Sequence, residues 1–191
     1  MLKCCVIGLG YIGLPTAAIL AEAGHDVMGV DTNHEKICNL KQGIIPIKEP
    51  NLDILVRKMT SKGKLSVQSL PCKADIFIIA VPTPFLKDSK DIPKPDLSYL
   101  ENAALSVSKF LEHGNTVIIE STIPVGTTKK ISDLVIKESN LKFEDLNFAH
   151  CPERVLPGKI LEELVQNNRV VGGLTKEAAL IAKSFYETFC K

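Results

Sequence analysis

The sequence has no tryptophan, few aromatic residues and almost no excess of charge. Its 23 basic and 22 acidic residues leave a formal net charge of +1, so neither a nucleic acid nor an anionic membrane surface is an expected partner. No apolar run approaches the roughly 18 residues of a membrane span. The 45% hydrophobic content is sufficient for a full core, and a length of 191 residues suits one domain.

Patterns typical of disulfide frameworks and metal sites are also missing. The sequence has no C-x-x-C pair, and its four histidines form no cluster, so we predict no metal site. Cys4 and Cys5 are adjacent in a predicted strand, where neighbouring side chains point to opposite faces. The pattern predicts reduced thiols in a cytoplasmic protein. The six cysteines are Cys4, Cys5, Cys38, Cys72, Cys151 and Cys190.

Strand and helix patterns instead alternate along the whole chain. Short apolar runs are followed by segments with helical apolar spacing, and residues 75–81 form a continuous apolar run typical of a central strand buried on both faces. Such alternation requires parallel strands joined by right-handed crossovers. We predict an α/β fold of Rossmann type, with a doubly wound, mainly parallel sheet and helices on both faces, as one domain over residues 1–191.

Three segments carry more local predictions. Residues 82–95 contain four prolines, with charged side chains between positions 87 and 91, and are predicted to form an exposed loop. Thr127 or Thr128 is predicted to cap the helix that follows. Residues 169–171 are predicted to form a short strand.

The most informative stretch is residues 5–13, which joins the first strand to the first helix through Gly8, Gly10 and Gly13. In dinucleotide-binding domains, the first glycine of this pattern makes the tight turn and the second lets a pyrophosphate approach the backbone. The third lets the helix pack against the strand. Backbone N–H groups at the start of the helix then bind the phosphates. The spacing therefore predicts a dinucleotide site.

Asp31 closes the second predicted strand, residues 27–30, and lies 31 − 13 = 18 positions past Gly13. At about this distance a carboxylate hydrogen-bonds the adenosine ribose hydroxyls in such folds. The same carboxylate repels a 2′-phosphate. We therefore predict that NAD is preferred over NADP.

Four segments place unusual residues at the carboxyl ends of predicted strands, where ligands bind in open α/β sheets. They are residues 8–13, 81–84, 120–126 and 150–158, and they are predicted to outline one crevice.

Within this crevice, the roles of two threonines are open. Thr83 lies between two prolines, so it either presents its hydroxyl to a ligand or belongs to a loop that merely ends the strand. Thr122 either orients a water or a developing alkoxide, or serves as a helix-entry hydroxyl.

Glu153 is the candidate acid or base of the crevice. It either activates water or forms an ion pair with the adjacent Arg154, which can also bind a ligand phosphate. Cys151 is a candidate nucleophile, but only Arg154 and His150 are near it in sequence to lower its pKa, so a buried structural thiol is favoured.

Several of these segments resemble the N-terminal domain of the UDP-glucose/GDP-mannose dehydrogenase family, and the order and spacing match over essentially the whole chain. Within the family, Glu49-Pro50, the segment 151–158 and the segment 168–173 most resemble the UDP-N-acetyl-D-mannosamine dehydrogenases. The segments that carry the family resemblance are Gly-Leu-Gly-Tyr-Ile-Gly-Leu-Pro-Thr at 8–16, Gly-Val-Asp at 29–31, Val-Pro-Thr-Pro at 81–84, Glu-Ser-Thr at 120–122 and His-Cys-Pro-Glu-Arg-Val-Leu-Pro-Gly-Lys at 150–159.

The resemblance implies NAD-dependent oxidation of a nucleotide-sugar 6-hydroxyl to a carboxylate, with two NAD and a cysteine-bound thiohemiacetal and thioester. The expected substrate is a UDP-N-acetylhexosamine, namely UDP-N-acetyl-D-mannosamine, and the product is a uronate for polysaccharide biosynthesis. The implied pyrophosphate-binding residues are Gly8, Gly10, Tyr11, Ile12 and Gly13, with Asp31 and Lys36 at the adenosine ribose and Thr83 and Thr122 at the nicotinamide.

The resemblance also assigns catalytic and substrate-binding roles. Thr122 and Glu153 are expected to position or activate the hydrolytic water, and Arg154 and Val155 to border the sugar. The full-length enzyme is expected to be a homodimer formed through residues outside this sequence.

One departure from the family pattern limits what this chain is expected to do alone. The family's nucleophilic cysteine lies in a Gly-Gly-x-Cys motif and its oxyanion-stabilising lysine on a long central helix, but Gly172-Gly173 is followed here by Leu174-Thr175. We therefore expect the cofactor-binding half of the enzyme, as a fragment or a natural short protein. The alternatives are a catalytically inert NAD-binding module and, less favoured, a 3-hydroxyacid dehydrogenase, in which the segment 151–158 has no role.

Overall fold

The computed structural model describes residues 1–86 and 93–190, and its sheet contains seven strands in the order β3-β2-β1-β4-β5-β6-β7. The first six strands are parallel and β7 is antiparallel to β6. The strands are β1 (Lys3–Ile7), β2 (Asp26–Val30), β3 (Leu65–Gln68), β4 (Ile76–Ile79), β5 (Thr116–Ile119), β6 (Asn147–His150) and β7 (Gly172–Gly173).

Helices cover both faces of this sheet, which confirms the predicted Rossmann-type fold. The side chains of β1 alternate between two cores: Cys4 and Val6 belong to one, and Cys5 and Ile7 to the other. The first core is covered mainly by α1, α2, α3, α6 and α7, and the second by α4 and α5. These helices are α1 (Gly13–Glu22), α2 (His34–Lys41), α3 (Leu52–Ser61), α4 (Ser98–Ser108), α5 (Thr127–Glu138), α6 (Ile160–Gln166) and α7 (Lys176–Tyr186).

The central strands are buried on both faces, as the continuous apolar run predicted. Every residue of β4 and of β5 is buried. Parallel strands of this kind require cover on both sides, because neither face presents polar side chains to water. No helix in the described ranges has the length and apolar character needed to cross a membrane.

Two local predictions are wrong. Neither Thr127 nor Thr128 caps α5, because the N-cap is Gly126, whose φ of +86° favours glycine over a hydroxyl-bearing residue. The predicted strand at residues 169–171 is displaced to Gly172–Gly173, which pairs with β6. At Gly173 a Cβ would lie 2.4 Å from the backbone nitrogen of Ala179, so only glycine lets the strand lie this close to α7.

The loop predicted over residues 82–95 is described only in part. Its charged positions 87–91 fall within residues 87–92, which lie outside the described residues.

Candidate active site at the carboxyl edge of the sheet

The register of the sheet brings the four predicted segments to one edge. Ile7 pairs with Ile79, Ile79 with Ile119, and Ile119 with His150, so the carboxyl ends of β1, β4, β5 and β6 are level. The predicted segments 8–13 and 120–126 begin directly after β1 and β5, the segment 81–84 begins two residues after β4, and the segment 150–158 begins at the last residue of β6. The four segments therefore start at the same edge of the sheet. The cleft beside the glycine turn and the small pocket beside Glu153 are separate cavities at this edge, so the single crevice stays a prediction.

The three glycines of the β1–α1 turn have different surroundings. Gly8 has a φ of +94°, and a Cβ there would lie 2.6 Å from the carbonyl oxygen of Ala80. A Cβ on Gly13 would lie 1.8 Å from the carbonyl oxygen of Gly8, so the close contact between helix and strand requires glycine. At Gly10 the space is open to 4 Å, which leaves room for a phosphate beside the backbone.

The start of α1 offers backbone N–H groups rather than side chains. In the described structure its N-cap residue, Ile12, makes no side-chain capping bond, and the first turn contains no acidic residue. N–H groups at such a terminus favour an anion. Tyr11 is 47% exposed beside this turn. The terminus thus fits a pyrophosphate group, which supports the predicted position of Gly10, Tyr11 and Ile12.

Asp31 is fixed at the end of β2 by several hydrogen bonds. One carboxylate oxygen accepts the backbone N–H of Leu9 at 3.0 Å, and the other accepts that of Asn33 at 3.0 Å. Lys36 Nζ donates to Asp31 Oδ2 at 2.6 Å. The sequence predicted both Asp31 and Lys36 for one ligand, and the structure brings them together.

A cleft of about 500 Å³ joins the glycine turn to Asp31. Its far wall is made by apolar and amide side chains that sequence reasoning missed, because they follow β3 or lie on α4 and match no motif. A flat adenine fits between apolar walls of this kind. These further residues include Leu70, Pro71, Tyr99, Asn102 and Ala103.

The loops after β4 and β5 are tied to each other. Thr83 Oγ1 donates to the carbonyl oxygen of Thr122 at 2.8 Å, and Ser121 Oγ donates to that of Val81 at 2.7 Å. The hydroxyl of Thr83 therefore supports the loop that carries Thr122, whereas Thr122 itself is exposed at the crevice. The hydrogen bond from Thr83 favours the interpretation in which its hydroxyl is structural over the one in which it binds a ligand.

Of the two alternatives for Glu153, the ion pair with Arg154 is not formed in the described structure, because Glu153 pairs with Arg169. Its Oε1 accepts a hydrogen bond from Arg169 Nη1, and its side chain is only 7% exposed. Arg154 is exposed instead. Arg169 comes from the segment before β7, and nothing in its local sequence pattern signals this role.

Burial is the main influence on the Glu153 carboxyl group. It raises the pKa of Glu153 to about 7, against the opposing charge of Arg169 and with a further rise from Glu120. A carboxylate with a pKa near neutrality is suited to accept a proton at physiological pH. Glu153 also lines a small pocket of about 60 Å³, which is large enough for water.

The other candidates of this segment are arranged as follows. The backbone carbonyl of Arg154 accepts a hydrogen bond from Asn167 Nδ2 at 3.0 Å. Val155 is half-buried against the first core, so only part of its surface faces outward. Cys151 is fully buried, and burial raises the pKa of its thiol to about 11, which agrees with the structural-thiol interpretation.

Glu49 is a further residue whose position could not be derived from spacing. Its two carboxylate oxygens accept the backbone N–H groups of Gly158 and Ile160, each at 2.8 Å. It thereby anchors the end of the segment that carries Glu153 and caps α6. All six cysteines are free thiols. Within the described residues, no group of His, Cys, Asp and Glu side chains is arranged to hold a metal ion.

A glycine turn after β1, an uncapped helix terminus, an acidic residue after β2 and a cleft between them define a dinucleotide-binding domain of Rossmann type. The chain belongs to the UDP-glucose/GDP-mannose dehydrogenase family, whose NAD binding domain matches residues 2–190. This confirms the family resemblance and the NAD cofactor.

Individual relatives extend the comparison. The UDP-N-acetyl-D-mannosamine dehydrogenase of Methanococcus maripaludis is 48% identical over 187 residues, which is 98% of this chain and 42% of the relative. The NDP-N-acetyl-D-galactosaminuronic acid dehydrogenase of Ralstonia nicotianae is 47% identical over 97% of this chain and 45% of its own length. The solved structure of UDP-D-ManNAc dehydrogenase from Pyrococcus horikoshii has a TM-score of 0.93 and 43% identity, covering 99% of this chain and 45% of that one. The chain thus spans less than half the length of these relatives.

Proposed function

We propose that this chain is the cofactor-binding half of an NAD-dependent nucleotide-sugar 6-dehydrogenase that oxidises UDP-N-acetyl-D-mannosamine to the corresponding uronate. The observation that carries this proposal is the level arrangement of the strand ends. Thr122 and Glu153 each lie three residues past the paired residues Ile119 and His150, and Gly8 directly follows β1 at the same edge of the sheet. Relatives at 47% to 48% identity carry the names of N-acetylated sugar-nucleotide dehydrogenases.

The residues of the crevice have distinct roles in the proposed reaction. Gly8, Gly10 and Gly13, together with the N–H groups near Tyr11 and Ile12, hold the pyrophosphate. Asp31, steadied by Lys36, accepts hydrogen bonds from the adenosine ribose hydroxyls. NAD, when bound, supplies the hydride acceptor.

The side chains after β4, β5 and β6 serve the nicotinamide and substrate side of the crevice. Thr83 supports the Thr122 loop, and the exposed Thr122 hydroxyl orients the substrate oxygen or water. Glu153 accepts the proton of the water that hydrolyses the acyl intermediate. Arg154 and the outer surface of Val155 border the sugar.

Substrate, assembly and location are parts of the same proposal. An N-acetylgalactosamine nucleotide is the competing substrate, because a relative of similar identity is named for the galactosaminuronic product. A cytoplasmic location, a role in polysaccharide biosynthesis and a homodimer of the full-length enzyme follow from the thiol pattern and the family. An inert NAD-binding module is the alternative function, favoured by the burial of Cys151.

The 191-residue chain provides the first test. It should bind NAD but produce no NADH from UDP-N-acetyl-D-mannosamine, because the oxidation requires a bound substrate and a competent nucleophile. Calorimetry measures the binding, and absorbance at 340 nm measures the turnover. Absence of NAD binding would refute the proposal, and sustained NADH production would show that this chain alone holds the substrate for hydride transfer.

Glu153→Gln tests the catalytic role in a full-length enzyme that carries this domain. The amide keeps the shape of the side chain but cannot accept a proton, so hydrolysis should slow by roughly 10²- to 10⁴-fold. Hydride transfer should slow less, and a cysteine adduct should accumulate, detectable by intact-mass spectrometry. Glu162→Gln, in an exposed carboxylate of α6, is the matched control. Normal turnover of Glu153→Gln without a trapped adduct would contradict the role of Glu153.

A further inference from the structure

Arg169 has an unusually complete set of contacts for an arginine near an active site. Its side chain is only 8% exposed. Nη2 donates to the carbonyl oxygen of Leu164 at 2.8 Å, and Nε donates to Cys190 Sγ at 3.1 Å. The guanidinium also lies 4.6 Å from the centre of the Tyr186 ring. These contacts come from α6, from α7 and from Cys190 beyond the end of α7, and they fix the plane of the guanidinium independently of any ligand.

The fixed guanidinium lies between two carboxyl groups. Nη1 donates to Glu153 Oε1 and lies 3.9 Å from Glu120 Oε1. Glu120 has no exposed side-chain surface, and its oxygens accept hydrogen bonds from the hydroxyls of Thr16 and Tyr186, at 3.2 and 2.9 Å. One buried cation therefore serves two buried acids.

The charge balance of this cluster decides how each acid titrates. Burial raises the pKa of both Glu120 and Glu153, and the guanidinium opposes that rise in each case. For Arg169 itself, burial disfavours the charged form, but the two carboxylates outweigh it and raise its pKa. Since two carboxylates and one cation would leave a net negative charge inside the protein, the protonation states of the acids are coupled.

The hydrogen-bond geometry divides the functions of the two acids. The carboxylate of Glu153 is bonded to Arg169 through Oε1, which leaves Oε2 as the oxygen able to receive a proton. Besides Arg169 and Glu120, the ionisable groups around this site include the thiols of Cys151 and Cys190 and the phenol of Tyr186. Burial raises the pKa of each of these three groups, so they remain neutral near pH 7. Arg154 and Glu163 also line the small pocket beside Glu153.

We propose that Arg169 is the positioning residue for Glu153 and that Glu120 modulates it, so that the proton-accepting unit is a buried Glu120–Arg169–Glu153 bridge. This inference rests on the proposed base role of Glu153. Arg169 fixes the orientation of the Glu153 carboxylate and favours its ionised form. Glu120 acts in the opposite direction, because its charge competes for the same guanidinium.

The experiment compares substitutions that should shift the titration midpoint of Glu153 in opposite directions. Glu153 is followed by carboxyl-carbon NMR titration in the 191-residue chain, with side-chain ¹³C labelling and the Glu153→Gln spectrum for assignment. Glu120→Gln removes the competing charge and should lower the Glu153 midpoint by about 1 unit or more. Arg169→Lys keeps a charge but loses the planar bridge, and Arg169→Gln loses the charge, so both should raise the midpoint, the second by more.

Controls separate this proposal from a purely structural role. Glu162→Gln, in an exposed carboxylate of the same helix α6 that does not line the pocket, should leave the Glu153 midpoint in place. If Arg169→Gln does not fold, Arg169→Lys and Glu120→Gln still give opposite shifts. The proposal would be overturned by an unchanged Glu153 midpoint in Glu120→Gln. It would also be overturned if Glu120→Gln and the Arg169 variants shifted that midpoint in the same direction.

A second readout distinguishes this inference from the proposed function. In the full-length enzyme, the acid limb of the hydrolysis rate against pH should move in the same direction as the NMR midpoint of each variant, with little change in KM. Movement of the midpoint without movement of the rate profile would support the bridge and refute the base role of Glu153.

Discussion

Asp31 is oriented by the protein before any ligand binds. Its oxygens accept hydrogen bonds from two backbone N–H groups and from the ammonium of Lys36, so the carboxylate is held in one orientation, beside the position proposed for the ribose. Preorganisation of this kind makes discrimination between cofactors strong, because a 2′-phosphate would meet a fixed negative charge. The same contact holds the ammonium of Lys36 against Asp31.

Asp31→Asn should therefore reduce the preference for NAD over NADP by roughly 10- to 100-fold, the range for a lost hydrogen bond to a charged group. NAD binding weakens, and Lys36 is released toward a 2′-phosphate. Calorimetric titration of both cofactors measures the ratio. Asp26→Asn is the matched control, because Asp26 begins β2 and pairs with Lys64 at 2.7 Å, at the opposite edge of the sheet. An unchanged ratio in Asp31→Asn would rule out this basis for selectivity.

At the scale of elements, the glycines of the β1–α1 turn, within six residues of one another, differ in whether the fold requires them. Gly8 and Gly13 are required by contacts inside the protein, whereas Gly10 faces open space. The turn therefore contains both structural and ligand-facing glycines under one sequence motif. The motif shows their spacing but not which glycine serves which purpose.

Gly10→Ala and Gly13→Ala should have opposite consequences. A methyl group at position 10 has room in the folded protein, so the melting temperature should change little while NAD binding is lost. A methyl group at position 13 would overlap the carbonyl oxygen of Gly8, so the protein should be severely destabilised or fail to fold. Thermal melts and calorimetry measure the two effects. Retained NAD binding in a well-folded Gly10→Ala would show that the pyrophosphate does not approach this position.

At the scale of the whole molecule, a buried histidine joins the segment that follows α7 to the residue that precedes β1. His25 Nδ1 accepts the backbone N–H of Leu2 at 3.3 Å, and Nε2 lies 2.9 Å from the hydroxyl of Thr188. Burial, assisted by the N-terminal ammonium, lowers the pKa of His25. Because Nδ1 is an acceptor, protonation of the ring breaks the bond to Leu2.

The folded state should therefore lose stability in acid through His25. The unfolded chain binds a proton at a higher pH than the folded chain, so this contribution is complete above about pH 6.5 and declines as pH falls below it. Thermal melts at about pH 7.5 and 5.5 measure the loss. His25→Gln should flatten this dependence, whereas His113→Gln, whose side chain is 80% exposed, should not. Equal pH dependence in wild type and His25→Gln would contradict the linkage.

The sequence alone determined the features that depend on local pattern. The alternation of apolar strands and amphipathic helices predicted the doubly wound sheet, and the glycine spacing with Asp31 predicted the dinucleotide end of the crevice. These predictions succeeded because backbone geometry and hydrophobic periodicity are properties of short segments. The prediction of a strand at residues 169–171 was wrong because the position of β7, at Gly172–Gly173, depends on tertiary packing. It is set by how closely this strand lies to α7.

Only the tertiary structure decided how the polar residues are paired. Arg169 is 16 positions from Glu153, and Glu49 is 109 positions from Gly158, yet each pair is in direct contact. No local periodicity encodes such distances. These contacts arise because the parallel strands bring their carboxyl ends to one edge of the sheet. A buried charge there is stable only when it is paired, and its partner comes from a segment that the crossover connections place nearby.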